Sequence, residues 1–216
     1  MNALHTAVMR FFEEEAASEK RGSVLEAGAG PGDVAKALTK LGFSVKAVDI
    51  EPEFRGCAKA DLNDDLKFAA RSFDYVVCLE VVEHIENTRH LLREFNRIMK
   101  KGSVLLISTP NISNIFSRLK FLATGEFFCF SHQERKLGHI NPVPSWLISE
   151  ALDANGFRVE AVKASEYLKL SGLDNANVRF KRFASKLAYV ILYPVIRPKN
   201  RELLQADSLL FIARKK

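Results

Sequence analysis

A glycine-rich turn flanked by acidic residues is the part of the sequence best suited to hold a ligand. Residues 24–32 read Val-Leu-Glu-Ala-Gly-Ala-Gly-Pro-Gly, between a predicted strand and a predicted helix. Glycines let the backbone turn sharply and approach a ligand closely, and a helix N-terminus offers unpaired N–H groups to an anion. Asp49 lies 21 residues after Gly28, at the end of the next predicted strand. A carboxylate at that place can bind the hydroxyl pair of a ribose.

The spacing of the glycines disfavours a dinucleotide. Its fingerprint, GxGxxG, needs Gly or Ala where Asp33 stands, and a carboxylate there would repel a diphosphate. The pattern is instead ExGxGxG, with Glu26 two residues before Gly28. A zwitterionic ligand with a sulfonium group fits this turn better, because its amino group suits acidic and carbonyl neighbours while its carboxylate can use the helix end.

Histidines supply the candidates for proton transfer, since imidazole titrates near neutral pH. We place His84, after the fourth predicted strand, and His139, after an aromatic segment, near the ligand. His132 is a third candidate, whereas His5 and His90 are expected on helix surfaces. A surface or structural role remains an alternative for each candidate.

Short apolar runs alternate with helical patterns along the chain. Apolar residues at helical spacing predict helices at 4–17, 34–41, 91–99, 112–123 and 144–155. Short apolar runs predict strands at 23–25, 43–48, 58–60, 75–79, 104–108, 157–161 and 208–213. This alternation builds βαβ units, so we predict an α/β fold with a mainly parallel sheet that is covered on both faces.

Two connections depart from this alternation. Residues 50–57 are too few for a crossover helix between neighbouring parallel strands, so we expect the sheet near Asp49 to be thinly covered and open to a partner subunit. Residues 110–144 form a long, aromatic insertion after the fifth strand. Such an insertion lies over the carboxyl ends of the strands, where open α/β sheets bind ligands.

Composition limits the class of protein. The 216 residues are 47% hydrophobic and 27% charged, which is typical of a globular protein with a sizeable core. Three widely spaced cysteines, Cys57, Cys78 and Cys129, indicate no disulfide framework, and the N-terminus lacks the pattern of a signal peptide. We therefore expect a cytoplasmic protein.

The net charge of +6 is unevenly distributed. Residues 167–216 hold 11 Lys and Arg against 3 Asp and Glu, and the other 166 residues hold 21 against 23. Within this basic part, residues 178–201 mix apolar side chains with Arg and Lys. They are either a helix that packs under the last strand or a segment that contacts a membrane surface.

Five blocks give the sequence a family resemblance. Together they resemble class I S-adenosylmethionine-dependent methyltransferases, and EVVEH followed by GHI is most similar to quinone-biosynthesis-type O-methyltransferases. The blocks are VLEAGAGPG (24–32), AVDIEPE (47–53), KADLNDDLKF (59–68), FDYVVCLEVVEHI (73–85) and LLREFNRIMKKGSVLLISTPN (91–111).

The resemblance implies a fold and a domain layout. The fold is a Rossmann-like sheet of about seven strands with helices on both faces, an antiparallel last strand and an insertion after the fifth strand. Residues 1–216 form a single domain in this layout. Its parts are an N-terminal helix (1–22), a cofactor-binding core (23–111), an acceptor-site insertion (112–144) and a C-terminal part with the basic, apolar helix (145–216).

The resemblance also implies site residues. S-adenosylmethionine would be held through its methionine part by the turn, through its ribose by Asp49, and through its adenine edge by Asp61 with the Leu62 backbone. The transfer region would be lined by Cys78–Glu80. The implied cofactor-binding residues are Glu26, Gly28, Ala29, Gly30, Gly32, Asp49, Ile50, Asp61, Leu62, Cys78, Leu79 and Glu80.

The implied reaction is methyl transfer to an oxygen of a small-molecule, lipid-linked or glycan acceptor, which leaves S-adenosylhomocysteine. His139 and His84 are the candidate bases. An alternative use of Glu80, Glu83, His84 and His139 is a divalent-metal site. Nucleic acid is a weaker acceptor class, because Leu79-Glu80-Val81-Val82 stands where enzymes that methylate nucleobase amino groups carry Asn/Asp-Pro-Pro-aromatic.

Other functions remain compatible with the sequence. They are methyl transfer to RNA, a nicotinamide oxidoreductase, and a non-catalytic subunit that binds the cofactor. A homodimer is also compatible.

Overall fold

The computed structural model describes residues 3–167 and 206–216. Its strands are β1 (Ser23–Ala27), β2 (Ser44–Asp49), β3 (Cys57–Lys59), β4 (Phe73–Cys78), β5 (Met99–Pro110), β6 (Phe157–Tyr167) and β7 (Ala206–Lys215). Its α-helices are α1 (Ala3–Ala17), α2 (Asp33–Lys40), α3 (Thr88–Ile98), α4 (Ile115–Thr124), α5 (His132–Lys136) and α6 (Ser145–Ala154). The segment 178–201, for which we predicted a packed helix or a membrane contact, lies outside the described residues.

The strands form one sheet in the order β3-β2-β1-β4-β5-β7-β6. The pairs from β3 to β5 are parallel, and β7 runs antiparallel to both β5 and β6. The predicted mainly parallel sheet with an antiparallel last strand is confirmed. Strand order reverses at β1, which lies between β2 and β4. A crevice therefore opens outside the carboxyl ends of these strands.

Alternation along β1 distributes the core over both faces of the sheet. Val24 packs in a cluster with residues of α1 and α2, such as Phe12 and Leu38. Its neighbour Leu25 packs on the opposite face with residues of α3 and α6, such as Phe95. Successive strand residues point to opposite faces, and each fully buried large apolar side chain contributes about 1.5–3 kcal/mol. The predicted helices on both faces are confirmed.

The connection between β2 and β3 contains no helix, as the sequence predicted. Part of the missing cover comes from Phe54, whose ring lies so close to Gly32 that a Cβ there would collide with it. Lys36 lies over the same ring, 5.2 Å from its centroid. Whether a partner subunit covers the rest of this edge stays a prediction.

Strands β5 and β6 are longer than predicted, and two further differences from the prediction have a clear physical reason. Helix α3 ends at Ile98, before the predicted stop at Gly102, because β5 begins at Met99 and pairs with β4. The insertion contains a short helix, α5, where the sequence showed no periodicity. Its start is a capping box, in which the Glu134 carboxylate accepts the Ser131 N–H at 2.7 Å. One turn of helix is too short to produce a periodic apolar pattern.

None of the helices within residues 3–167 and 206–216 is both long enough and apolar enough to span a membrane.

Candidate functional site

Two adjoining cavities form a crevice at the carboxyl ends of β1, β2 and β4. The larger has a volume of about 570 Å³ and the smaller about 140 Å³, and Gly28 and Gly30 line both. Together they provide the space of a small-molecule site, which usually measures about 300–1,000 Å³. The sequence and the structure therefore place the site at the same edge of the sheet.

The glycine-rich turn brings the backbone to the wall of this crevice. Gly28 and Gly30 both have positive φ, at 78° and 47°, a region that side-chain-bearing residues rarely adopt. A Cβ at Gly28 would collide with the Val81 side chain, whereas a Cβ at Gly30 would meet no atom within 4 Å. The turn thus needs glycine at the first position for space and at the second for its backbone conformation. The open space beside Gly30 leaves room for a ligand.

Asp49 ends β2 and is held by the turn that it faces. Its Oδ2 accepts the Gly30 N–H at 2.8 Å, and its Oδ1 accepts the Glu51 N–H at 2.9 Å. These two bonds fix the carboxylate at the wall of the larger cavity. Each carboxylate oxygen keeps a further lone pair, so the side chain can still accept two hydroxyl groups.

The remaining predicted adenosine contacts line the same cavity. Asp61 and Leu62 lie on its wall, and Ile50 lies at its rim with 54% of its surface exposed. The Asp61 Oδ1 accepts the backbone N–H and the side-chain amide of Asn63, at 2.9 and 3.0 Å. Asp61 therefore shapes its own turn and also faces the crevice.

The smaller cavity contains a residue that we had expected elsewhere. His5 of α1 was predicted on a helix surface, but it lines this cavity with Glu26 and Asp33. The reason is tertiary, because α1 packs on the sheet and its first turn reaches the glycine-rich turn. Burial lowers the pKa of His5, while the carboxylate of Asp33 opposes that shift. No signal in the sequence pairs these residues.

Glu26 is buried and has an unusual acidity. Its Oε2 accepts the Ala35 N–H at 2.8 Å, in the first turn of α2. The pKa of Glu26 is raised to about 7, mainly by burial and also by the carboxylates of Asp33 and Asp49, against the opposing effect of the hydrogen bond from Ala35. A cationic group placed beside this cluster would favour the ionised form. The smaller cavity is therefore suited to an ammonium group and unsuited to a phosphate.

We expect Glu26→Gln to stabilise the protein at pH 8 and to leave its stability almost unchanged at pH 4. The pKa is about 7 in the folded state and 4.5 as the ordinary value, so the folded state binds the proton more tightly. Stability is then lost as pH rises from about 4.5 to about 7, by up to about 3 kcal/mol. A neutral amide avoids this loss and retains an acceptor for Ala35.

Urea unfolding of both proteins at the two pH values measures this effect. Glu150→Gln is the matched control, because Glu150 is exposed on α6, and it should change stability little at either pH. A Glu26→Gln protein that is less stable than the parent at pH 8 would contradict the assignment of a buried, proton-binding carboxyl group.

Glu80 follows β4 in a strained conformation. Its φ is 53°, which costs a residue with a side chain about 1–3 kcal/mol. The carboxylate accepts hydrogen bonds from the hydroxyl groups of Ser108 at 2.7 Å and Ser208 at 2.9 Å. The Ser108 oxygen in turn accepts the Glu80 N–H at 2.9 Å. Burial raises the pKa of Glu80. The ends of β4, β5 and β7 are thereby tied together at the floor of the crevice.

The structure brings together the two histidines that the sequence placed near the ligand. The rings of His84 and His139 meet edge to face, with centroids 4.7 Å apart. His139 Nδ1 lies 2.7 Å from the Cys129 carbonyl oxygen. Because a carbonyl only accepts, Nδ1 carries the proton and Nε2 offers a lone pair. His84 lines the larger cavity, and His139 lies directly behind it.

The carbonyl that orients His139 is itself held in a strained turn. Cys129 has a φ of 61°, and no pattern in the sequence predicted this. Burial lowers the pKa of His84, as does the neighbouring His139, while a hydrogen bond with the Gly138 backbone opposes the shift. Cys129 and Glu80 are two of the four side-chain-bearing residues with positive φ in the described part of the chain, and the other two, Glu19 and Arg71, line neither cavity. Strained conformations are often found at functional sites.

Glu83 completes a cluster that can hold a metal ion. One ligand atom each from Glu83, His84 and His139 lies within 4.8 Å of the other two. Glu83 is 1% exposed, and its Oε2 has no hydrogen-bond partner within the described residues. Two imidazoles and a carboxylate suit a divalent ion such as zinc or manganese. Glu80 is not among these three residues, since its carboxylate accepts hydrogen bonds from Ser108 and Ser208. Its place in the four-ligand set stays a prediction.

Of the remaining predicted residues, two line the crevice and two do not. Ala29 and Leu79 line the smaller cavity. The Cys78 side chain is fully buried in the apolar core and lines neither cavity. His132 is exposed at the start of α5 and lines neither cavity.

Comparisons with known proteins agree with this geometry. A family model described as a methyltransferase domain matches residues 2–162. A ubiquinone biosynthesis O-methyltransferase from Xanthomonas campestris pv. campestris (strain B100) is 30% identical over 102 residues, which cover 41% of this chain. The match spans 43% of the length of that relative.

Solved structures show the same fold. A SAM-dependent methyltransferase from Archaeoglobus fulgidus superposes with a TM-score of 0.64 at 21% identity, over 98% of this chain and 94% of its own. An S-adenosylmethionine-dependent methyltransferase from Mesorhizobium loti gives a TM-score of 0.59 at 18% identity, over 99% and 98%. The chain therefore has the fold of these solved structures.

Proposed function

The chain belongs to the methyltransferase-domain family, and we propose that it uses S-adenosylmethionine to methylate an oxygen atom of a small-molecule, lipid-linked or glycan acceptor. The observation that carries the proposal is the two-part crevice, with a hydroxyl-binding carboxylate in the larger part and an acidic pair in the smaller. The similarity to a ubiquinone biosynthesis O-methyltransferase over part of its length favours oxygen as the accepting atom.

The crevice fits the parts of this cofactor. Asp49 offers lone pairs to the ribose hydroxyls, and Asp61 and Leu62 line the wall where the adenine edge would lie. Glu26 and Asp33 suit the ammonium of the methionine part, and Gly30 leaves space beside the backbone. A nicotinamide dinucleotide fits less well, because its diphosphate would face the same two carboxylates. We propose the cofactor contacts of the sequence prediction on this basis, with His5 added and the Cys78 side chain removed.

Methyl transfer requires positioning, exclusion of water and removal of the acceptor proton. When bound, S-adenosylmethionine supplies an electrophilic methyl group whose bonding electron pair stays with sulfur as the oxygen–carbon bond forms. His84 lines the crevice and His139 supports it, so this pair can accept the hydroxyl proton. The Cys129 carbonyl fixes the tautomer of His139 that leaves Nε2 free to do so.

The three-residue cluster keeps a second mechanism open. A divalent ion held by Glu83, His84 and His139 would bind the acceptor oxygen and lower its pKa, in place of a base. The geometric support is that Glu83 is buried with an unpartnered carboxylate oxygen within the described residues, and that one of its oxygens lies within 4.8 Å of a nitrogen of each histidine. The two mechanisms share residues but differ in their response to a chelator.

We expect calorimetric titration to show saturable binding of S-adenosylmethionine and of S-adenosylhomocysteine. Turnover is then measured as methyl transfer to a panel of catechols, phenolic lipids, glycans and RNA. Binding near pH 7 should also release protons, because a cation beside Glu26 lowers its pKa. Repeating the titration in buffers of different ionisation enthalpy measures that release.

Each alternative function has its own outcome in this experiment. Preferential binding of NAD would select an oxidoreductase, and methylation of RNA alone would select an RNA methyltransferase. Cofactor binding without turnover on any acceptor class would indicate a non-catalytic subunit. No binding at millimolar cofactor would contradict the proposal.

The remaining features of the prediction are proposed with it. We place the acceptor against the insertion 112–144, whose residues Leu137 and Ile140 are exposed at the rim of the larger cavity. We also propose a single domain over residues 1–216. A homodimer, a cytoplasmic location and a membrane-surface contact through 178–201 remain hypotheses.

A further inference from the structure

A further cavity, at the amino ends of the parallel strands, is lined by cationic side chains. Its volume is about 380 Å³, and it lies where β1, β4 and β5 begin, whereas the crevice lies where β1, β2 and β4 end. The proposed methyl transfer assigns no role to this cavity. Its charged lining residues are Lys20, Arg21, Lys100, Lys101 and Arg214, together with the carboxylates of Glu15 and Asp74.

An irregularity in β5 shapes this cavity. Two residues of β4 that are two positions apart pair with Met99 and Val104, which are five positions apart. Residues 100–103 therefore bulge out of the ladder and carry two lysines to the cavity wall. Bulges are over-represented beside functional sites, where they re-aim side chains. The bulge is thus a structural reason for the local concentration of charge.

Two of the five cations are fixed by carboxylates. Lys100 Nζ lies 2.9 and 2.8 Å from the two oxygens of Asp74. Arg214 donates to both oxygens of Glu160, at 2.7 and 3.0 Å, and to the Gly102 carbonyl at 2.9 Å. The first pair joins the bulge to β4, and the Arg214 contact with Gly102 joins it to β7.

The other three cations have no carboxylate partner among the described side chains, which are those of residues 4–164 and 206–216. They are Lys20, Lys101 and Arg21. The Nε of Arg21 donates to the Leu41 carbonyl at 3.2 Å. The Glu15 carboxylate accepts the Tyr75 hydroxyl instead of a cation. Unpaired like charges around one concave surface raise the local positive potential, which attracts anions.

We propose that this cavity binds a small, phosphate-bearing anion at a site separate from the methyl-transfer crevice. Its volume falls within the range of small-molecule sites. Arginine and lysine donors in one recess match the several oxygens of a phosphate or diphosphate group. The recess is too small for a nucleic acid duplex, so a soluble phosphate compound is the favoured occupant.

Titration with inorganic diphosphate, followed by ¹H–¹⁵N NMR at low salt, tests this site. We expect saturable shifts at the amides of Lys101, Gly102 and Ser103, with an affinity that weakens as salt is added. Bound S-adenosylhomocysteine should leave the affinity for diphosphate unchanged. Diphosphate should not displace S-adenosylhomocysteine from the crevice. Binding to vesicles of phosphatidylglycerol is measured in parallel, because a lipid headgroup carries the same phosphate chemistry.

Charge-removing variants link the binding to the cavity. Lys101→Gln and Arg21→Gln should each weaken diphosphate binding about tenfold, since each removes a charge-assisted contact. Both side chains are exposed, so the variants are expected to fold. Arg93→Gln is the matched control, because Arg93 is an exposed cation on α3, and it should leave binding unchanged.

Three outcomes would overturn the proposal. They are shifts that rise linearly without saturation, equal effects of Arg93→Gln and Lys101→Gln, and binding to the vesicles without binding to soluble diphosphate. This site does not depend on the proposed methyl transfer. Loss of cofactor binding in a crevice variant should therefore leave diphosphate binding intact.

Discussion

His139→Ala should lower turnover at least about 100-fold and change the affinity for S-adenosylmethionine less than about threefold. A positioned general base contributes about 10²–10⁴-fold to rate, whereas His139 lies behind the crevice wall and lines neither cavity. Its Nδ1 is committed to the Cys129 carbonyl at 2.7 Å. Its Nε2 is therefore the atom available to a proton or a metal ion.

Steady-state turnover on the best acceptor, together with calorimetric cofactor affinity, separates these two effects. His132→Ala is the control, since His132 is exposed on α5 and should leave both quantities unchanged. Unchanged turnover in His139→Ala would end its assignment. An equal loss of turnover and cofactor affinity would indicate a structural role instead.

A chelator then separates the two mechanisms that share this residue. If the histidine pair acts as a base, the parent enzyme keeps its activity after treatment with a strong chelator. If Glu83, His84 and His139 hold a metal ion, activity is lost and returns with zinc or manganese. Glu83→Gln should abolish that return, because it removes the carboxylate ligand of the cluster.

Asp49→Ala should weaken binding of S-adenosylhomocysteine about 100-fold or more. Two hydrogen bonds from ribose hydroxyls to a carboxylate are each worth about 1.5–3 kcal/mol, because the acceptor is charged. The substitution also leaves the Gly30 N–H without its acceptor, at the centre of the glycine-rich turn. Calorimetry with the purified variant measures the loss.

Two further variants, Asp49→Asn and Asp64→Ala, test whether the loss of affinity comes from the carboxylate of Asp49. The asparagine variant keeps one acceptor oxygen for the turn but loses the charge, so we expect an intermediate loss of about tenfold. Asp64 is an exposed carboxylate that does not line the crevice, so its removal controls for the change in net charge. A tight complex with Asp49→Ala would show that the ribose binds elsewhere.

Much of the site could be predicted because it depends on local sequence. The turn of residues 24–32 needs positive φ at its glycines, and Asp49 ends a strand that runs parallel to β1. Parallel neighbours end at the same edge of a sheet, so the order of strands along the chain places these residues together. Short-range patterns therefore gave the fold class, the crevice and most of the residues that line it.

The misses concern residues whose neighbours are distant in the chain. His5 lines the smaller cavity because α1 packs beside the glycine-rich turn, and the sequence holds no signal for that contact. The hydrogen bonds that Ser108 and Ser208 donate to the Glu80 carboxylate come from two other strands, and no pattern in the sequence predicted them. The strained φ of Cys129 is equally invisible, since it depends on how the insertion folds.

The sequence by itself determined the sheet, the turn and the carboxylate that faces it, because backbone conformation and strand order are set by nearby residue types. Only the tertiary structure decided the acidity of Glu26, the tautomer of His139 and the cluster around Glu83. Those properties arise from burial, from fixed dipoles and from charges contributed by separate elements. Such interactions join groups that lie a few ångströms apart in space but tens of residues apart in the sequence.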